Sequence, residues 1–259
     1  RDPQEFGTKY KIDINKPLKE NIKISLPPLT GDPTYQAVVN SSGVAVGGKY
    51  NPATEMIEVK IKSSDTYMVK ENKKDFSDIK NKSVEMQNAI KVLASKGIIS
   101  GTTATEFSPD ASITRAEIAA LILRTLSKLD SNANGGFKDV KTSDWYYGVA
   151  GSAKQYGIMN GLSVDVFAPK NAILKEQIVA VSARTLKNEM NYKDPASVEN
   201  ILNIYKDNTS LPAWGKKEIA LATRENMVVR RTDSLFIPKA TMTRGDAAVI
   251  LYRLFNKIW

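Results

Sequence analysis

The sequence predicts a mainly α chain built from three tandem copies of one helical unit, preceded by a small N-terminal all-β module. Three observations carry this reading: landmarks that recur in register, helical periodicity from Phe76 onward, and strand-like alternation before it. The first copy reads Phe76-Ser77-Asp78-Ile79, Gly97-Ile98-Ile99-Ser100-Gly101, Phe107-Ser108-Pro109 and Ile113-Thr114-Arg115-Ala116-Glu117, closing at Arg124. Sixty residues on stand Gly157-Ile158-Met159-Asn160-Gly161, Phe167-Ala168-Pro169, Ile173-Leu174-Lys175-Glu176-Gln177 and Arg184. Sixty-nine further stand Asn226-Met227-Val228-Val229-Arg230, Phe236-Ile237-Pro238, Met242-Thr243-Arg244-Gly245-Asp246 and Arg253. Repetition at a held offset means stacked copies of one supersecondary unit sharing a core.

Between Lys9 and about Lys74 the apolar residues alternate with polar ones. Tyr10, Ile12 and Ile14 do so, then Ile22, Ile24 and Leu26, then Tyr35, Ala37 and Val39. Val44 and Val46, then Ile57, Val59 and Ile61, then Tyr67 and Val69 continue the pattern. Period two, broken by Pro, Gly, Asn and Ser clusters, predicts a small antiparallel module. No chemistry stands out in it, and residues 9–75 read as a spacer or stalk. Residues 1–8 look like a polylinker scar with no part in the fold.

The copies span 76–130, 137–190 and 198–259. In the first, a short helix is expected over Val84–Lys96, with Ala89, Ile90 and Leu93 inward. Gly97, Gly157 and Asn226 follow at equivalent places, residue types that tolerate the left-handed conformation closing a helix. A second helix begins at Thr114, which with Glu117 forms a capping box. Its apolar stripe is Ile118, Leu121, Ile122, Leu126 and Leu129. Thr243 and Asp246 repeat the cap more weakly, and Leu174, with no hydroxyl, loses it.

Composition narrows function by exclusion. The 259 residues contain no cysteine and no histidine, which removes Ser-His-Asp, Cys-His and zinc-hydrolase chemistry. No apolar run approaches the ~20 residues of a membrane-spanning helix. Of the net charge of +9, residues 1–75 carry +2 and residues 76–259 carry +7. A basic repeat region suggests an anionic partner: nucleic acid, a membrane surface or an acidic polysaccharide. Nucleic-acid binding would need a contiguous basic stripe or stacking aromatics, and the basic residues are spread along the copies instead. Glycoside hydrolysis needs a carboxylate pair ~5–10 Å apart. Glu117 and Asp246 are accounted for as caps, no other acidic pair recurs, and no catalytic residue is assigned.

The order Phe-x-Asp-Ile, Gly-Ile-Ile-x-Gly, Phe-x-Pro, Thr-Arg-Ala-Glu resembles S-layer homology domains, over 184 of the 259 residues. The resemblance implies a pseudo-threefold unit whose second helices form a central bundle, complete as a monomer. It implies that grooves between copies bind secondary cell-wall polysaccharide, often bearing pyruvate ketals on N-acetylmannosamine. The implied role is a non-covalent anchor of a secreted protein to a bacterial cell wall, without metal, cofactor, nucleic acid or membrane insertion. A lattice subunit and the anchor of a surface glycoside hydrolase are the alternatives.

Arg115 sits in the first turn of its helix, where free N–H groups and the positive dipole end suit a carboxylate. A cation there is otherwise slightly unfavourable, so its recurrence as Lys175 and Arg244 asks for a shared anion. Lys175 lacks the guanidinium fork. Gly101 and Gly161 are candidate glycan-contact positions, and Arg230 in the equivalent place could obstruct the approach of a sugar or add an anion contact. The expected order of groove competence is therefore Arg115, then Lys175, then Arg244. Trp145 and Trp214 are equivalent positions that in the family pack the first helix, with stacking on a sugar ring as the other reading. Asp78, Asp139 and Asp207 are expected to cap the turn into the first helix, with contact to sugar hydroxyls as the other reading. Tyr146 and Tyr147 are further candidate sugar contacts.

Overall fold

A computed structural model describes residues 7–15, 21–229 and 232–259. Residues 1–6, within the stretch 1–8 read as a scar, lie outside the described residues, as does Arg230. The chain divides into two compact units, Arg1–Ser108 and Pro109–Trp259.

The first unit holds seven strands among its described residues: β1 (Tyr10–Ile12), β2 (Ile22–Leu26), β3 (Gln36–Val39), β4 (Ala45–Gly47), β5 (Lys49–Asn51), β6 (Met56–Ile61) and β7 (Asp65–Glu71). They form two antiparallel sheets, ordered β1-β7-β3-β4 and β2-β6-β5. Alternation in β6 buries Ile57, Val59 and Ile61, which join Leu26, Val38, Tyr67 and Val69 in one core. β3 is buried at all four positions, so its pattern is that of a strand covered on both faces. Gln36 within it is satisfied by the backbone: Leu29 N donates to its Oε1 and its Nε2 donates to Leu29 O, at 2.9 and 3.2 Å.

Also in this unit is α1 (Val84–Ser95), opened by Ser83, whose hydroxyl accepts from Met86 N, and closed by Gly97 at φ +71°. The following residue after α1, Lys96, is buried and donates Nζ to Gln36 O. Burial pushes its pKa down to about 8, against the pull of Glu71 and Asp32.

The second unit contains α2 (Arg115–Leu126), α3 (Tyr147–Gln155), α4 (Lys175–Met190), α5 (Val198–Leu202), α6 (Lys216–Arg224) and α7 (Arg244–Ile258). Both halves of the capping box are made at α2: Glu117 N donates to Thr114 Oγ1 at 3.3 Å, and Thr114 N donates to Glu117 Oε2 at 2.8 Å. Ser127, left-handed at φ +55°, ends the helix, which leaves Leu129 outside the buried stripe and 39% exposed. Gly157 and Asn226 close their helices in the left-handed region, as their residue types require.

The architecture corrects the expectation of a mainly α protein with a threefold helix bundle. Helix accounts for 37% of the chain and strand for 15%, the latter in two sheets. The second helices are not packed equivalently: α4 lies against α6 and α7, whereas α2 packs chiefly on α3 and only slightly on α7. The cause lies in the preceding helices, which diverge. α1 has twelve residues and α3 nine, while the third copy is broken into α5, two 3-10 turns and α6. In α3, Gly151 lets the Ala133 carbonyl approach to where a Cβ would be 2.1 Å away, so this helix meets backbone rather than side chains.

Lys96 ties stability to pH. The unfolded chain holds the proton up to the ordinary lysine value of 10.5 and the folded chain only to about 8. Between these values the unfolded state binds more protons, so stability rises with pH across that window. Denaturant titrations at intervals from pH 7.5 to 10.5 should show the rise in wild type and a flatter profile in Lys96→Met.

Candidate functional site

The site is built on the starts of the second helices. Each start hands its first two N–H groups, which no helix bond can use, to carbonyls of the next copy. Arg115 N donates to Asn171 O at 2.9 Å and Ala116 N to Pro169 O at 3.0 Å. Lys175 N donates to Ala240 O and Glu176 N to Pro238 O, at 2.8 and 3.1 Å. Arg244 N donates to Ala111 O and Gly245 N to Pro109 O, both at 2.8 Å. Bridges at Thr114–Ala172, Leu174–Thr241 and Ser112–Thr243 complete a closed cycle.

The cap chemistry graded by sequence is visible in this cycle. Thr243 accepts from Asp246 N at 3.1 Å. Leu174 has no acceptor, yet the other half of its box survives, because Leu174 N donates to Gln177 Oε1 at 3.2 Å.

The recurring first-turn cation has a structural reason as well as any ligand. Arg115 is buried, lies 5.3 Å over the Phe167 ring, and donates Nε to Phe167 O at 2.9 Å and Nη2 to Asn160 O at 3.0 Å. Lys175 repeats this one copy on, 5.1 Å over Phe236 with Nζ donating to Val229 O at 3.4 Å. Recurrence alone therefore does not demand a shared anion. The two differ in what is left over. Among the described residues Arg115 Nη1 has no hydrogen-bond partner, since the fork has more donors than the two carbonyls use. Burial lowers the Arg115 pKa, and the Asp139 carboxylate opposes that shift.

Arg115 lines a cavity of about 380 Å³, with Asn160, Gly161, Glu176, Arg184 and Trp214 among its walls. The Arg184 guanidinium sits 5.8 Å from the Trp214 ring centroid. Trp214 is 51% exposed and Trp145 is 61% exposed, so neither is a core residue. Trp145 lies away from this cavity, edge-on to Tyr146 at 5.4 Å. Tyr146 is buried and Tyr147 half-buried.

The three aspartates do not cap their own turns. Each reaches some 30 residues ahead to the Phe-x-Pro loop. Asp139 accepts from Phe167 N and Ala168 N at 2.9 and 2.7 Å, and Asp207 from Phe236 N and Ile237 N at 2.7 and 2.8 Å. Asp78 accepts from Phe107 N at 2.9 Å and, through its other oxygen, from Ser108 N. Ser108, Ala168 and Ile237 all have φ between +54 and +58°, a strained turn that the carboxylate holds. Desolvation pushes the Asp78 pKa up, but the donors of Phe107 and Ser108 outweigh it and the net shift is downward.

Gly161 borders the cavity because the backbone wraps around it: a Cβ would meet Ser163 O at 2.3 Å and Val166 O at 2.5 Å. Gly101 is enclosed in the same way, by Thr103 O and Glu106 O. Arg244 is half-buried at the start of α7. Among the cavity residues that the sequence did not mark as site candidates are its two further charged ones, Arg184 and Glu176. Arg184 stood in view as a landmark of the repeat, and Glu176 as a departure from alanine in the helix-start motif.

The family model described as S-layer homology domain matches residues 75–119 and 136–179. These two repeats are S-layer homology domains. The third copy shares with these two domains the aspartate-held loop and the helix-start bonds, and with the first of them the threonine cap. An amylopullulanase of Thermoanaerobacterium thermosulfurigenes is 31% identical over 97% of this chain and 13% of its own length. An exoglucanase XynX of Acetivibrio thermocellus is 33% identical over 70% of this chain and 16% of its own. A surface-layer 125 kDa protein of Lysinibacillus sphaericus is 27% identical over 71% of this chain and 15% of its own. The chain thus spans less than a fifth of each of these relatives. S-layer homology domains are binding modules of the cell surface, and this is a secreted, cell-surface protein. No described helix is long and apolar enough to cross a membrane.

Leu174 offers a test of how the S-layer homology helix starts are held. Leu174→Thr should restore the missing hydroxyl and raise stability by about 1 kcal/mol, and Thr114→Val should lower it by about as much. Urea midpoints of the two variants would check this, and a Leu174→Thr midpoint at or below wild type would show that the site cannot use the cap.

Proposed function

We propose that this chain anchors a secreted protein non-covalently to the bacterial cell wall by binding an anionic, pyruvylated secondary cell-wall polysaccharide. The observation that carries the proposal is the Arg115 guanidinium, tied by Nε and Nη2 to backbone carbonyls while Nη1 remains for a ligand in the cavity. A guanidinium already fixed on two sides loses little freedom on binding, and its burial strengthens attraction to a carboxylate. Arg184 supplies a second positive charge, and the exposed Trp214 face supplies a platform of the size of a sugar ring. The corresponding part for Lys175 is weaker, because its single ammonium is already engaged over Phe236 and toward Val229 O.

For the protein as a whole, we propose an anchor attached to a glycan-cleaving enzyme in preference to a lattice subunit. The similarity to amylopullulanase supports this, because it runs over nearly the whole chain, β region included, whereas that to the surface-layer protein covers 71%. In either case the segment in hand acts by binding, and catalysis belongs to other modules.

Calorimetric titration with a pyruvylated wall-polymer fragment and its depyruvylated form tests the anchor. Wild type should prefer the ketal roughly tenfold to hundredfold, the worth of a charge-assisted hydrogen bond. Arg184→Ala, which breaks no backbone tether, should bind the ketal more weakly and the depyruvylated form unchanged. Equal affinity for the two forms in wild type would contradict the proposal.

A further inference from the structure

The cavity beside Arg115 also contains a carboxylate. Glu176 stands at the second position of α4, where the other copies have Ala116 and Gly245. It is 2% exposed, one of the least accessible charged residues described. Its Oε1 takes Lys239 Nζ at 2.5 Å, while Oε2 is buried and has no hydrogen-bond partner among the described residues. Neither Arg115 nor Arg184 forms an ion pair with it, although all three line the same cavity. A buried carboxylate oxygen without a donor is costly, and small residues serve at the equivalent places. The carboxylate is therefore not required by the repeat architecture.

We infer that Glu176 Oε2 receives a hydrogen-bond donor from the bound sugar, so that the cavity reads two groups at once. One is a carboxylate held by Arg115 and Arg184, and the other is a neighbouring O–H or N–H aimed at Glu176. This rests on the anchor reading above and sharpens it. The groove takes an acidic sugar that keeps a free donor beside its acid, and rejects one in which that donor is capped. A site with a buried acceptor discriminates strongly against a ligand lacking the donor, because the acceptor is then left unpaired.

The test uses the pyruvate-ketal methyl glycoside of N-acetylmannosamine and two analogues, one methylated at its free ring hydroxyl and one at its amide nitrogen. Wild type should bind the parent at least about tenfold more tightly than one analogue, and which one identifies the donor. Glu176→Ala and the isosteric Glu176→Gln should lose that discrimination by weakening on the parent. Lys239→Ala, which removes only the Oε1 partner, should keep it. Discrimination unchanged in both Glu176 variants, no discrimination in wild type, or its equal loss in Lys239→Ala would overturn the inference while leaving the anchor standing. Failure of wild type to bind the parent at all would sink both.

Discussion

The exchange of hydrogen bonds between each second-helix start and the next copy's Phe-x-Pro loop is the constraint on which the second unit depends. Helix starts carry donors with no partner in their own helix, and elsewhere water or a side chain satisfies them. Here six such N–H groups meet six carbonyls in a closed cycle, from Arg115 and Ala116 round to Arg244 and Gly245. Because the cycle closes on backbone, the helices beyond it are free to diverge. α4 rests on α6, α2 rests on α3, and the first helices differ in length and continuity without opening the ring.

That ring decides where the basic side chains go. A residue at the first helical position is delivered directly over the aromatic ring of the next copy's loop, Phe167 for Arg115 and Phe236 for Lys175. The loop's own left-handed turn is pinned from the other side by Asp139 or Asp207. Cation, aromatic ring and aspartate are thus parts of one joint. Ligand binding, in the reading proposed here, uses what the joint leaves over: the third nitrogen of an arginine fork. A lysine in the same place makes the joint and has one nitrogen to give. Glu176 and Arg184 of the second copy and Trp214 of the third line the same cavity as Arg115 of the first.

Much of this was legible in the residues, for reasons of local physics. The offsets of sixty and sixty-nine located the three second-helix starts, and Thr114 with Glu117 announced a cap that forms as a complete box. Alternation located the strands around Ile57, Val59 and Ile61, though β5, three residues long, gave too short a pattern to register. What was not legible depends on distance along the chain. Asp78, Asp139 and Asp207 read as local caps because capping is what an aspartate before a helix usually does, and nothing in the sequence names a partner 28 to 30 residues away. Trp145 and Trp214 read as core because large aromatics usually are, and both are exposed. The threefold bundle implied by the family resemblance failed for a related reason: recurring helix starts do not make equal helices between them.

Side-chain nitrogen NMR of Arg115 during titration with the pyruvylated fragment tests the central claim most directly, since it watches the atoms in question. The account predicts that the Nη1 resonance moves on binding while Nε, bonded to Phe167 O at 2.9 Å, holds its position. Saturable binding with both resonances unmoved would contradict it, and would place the glycan somewhere other than the joint between the first two copies.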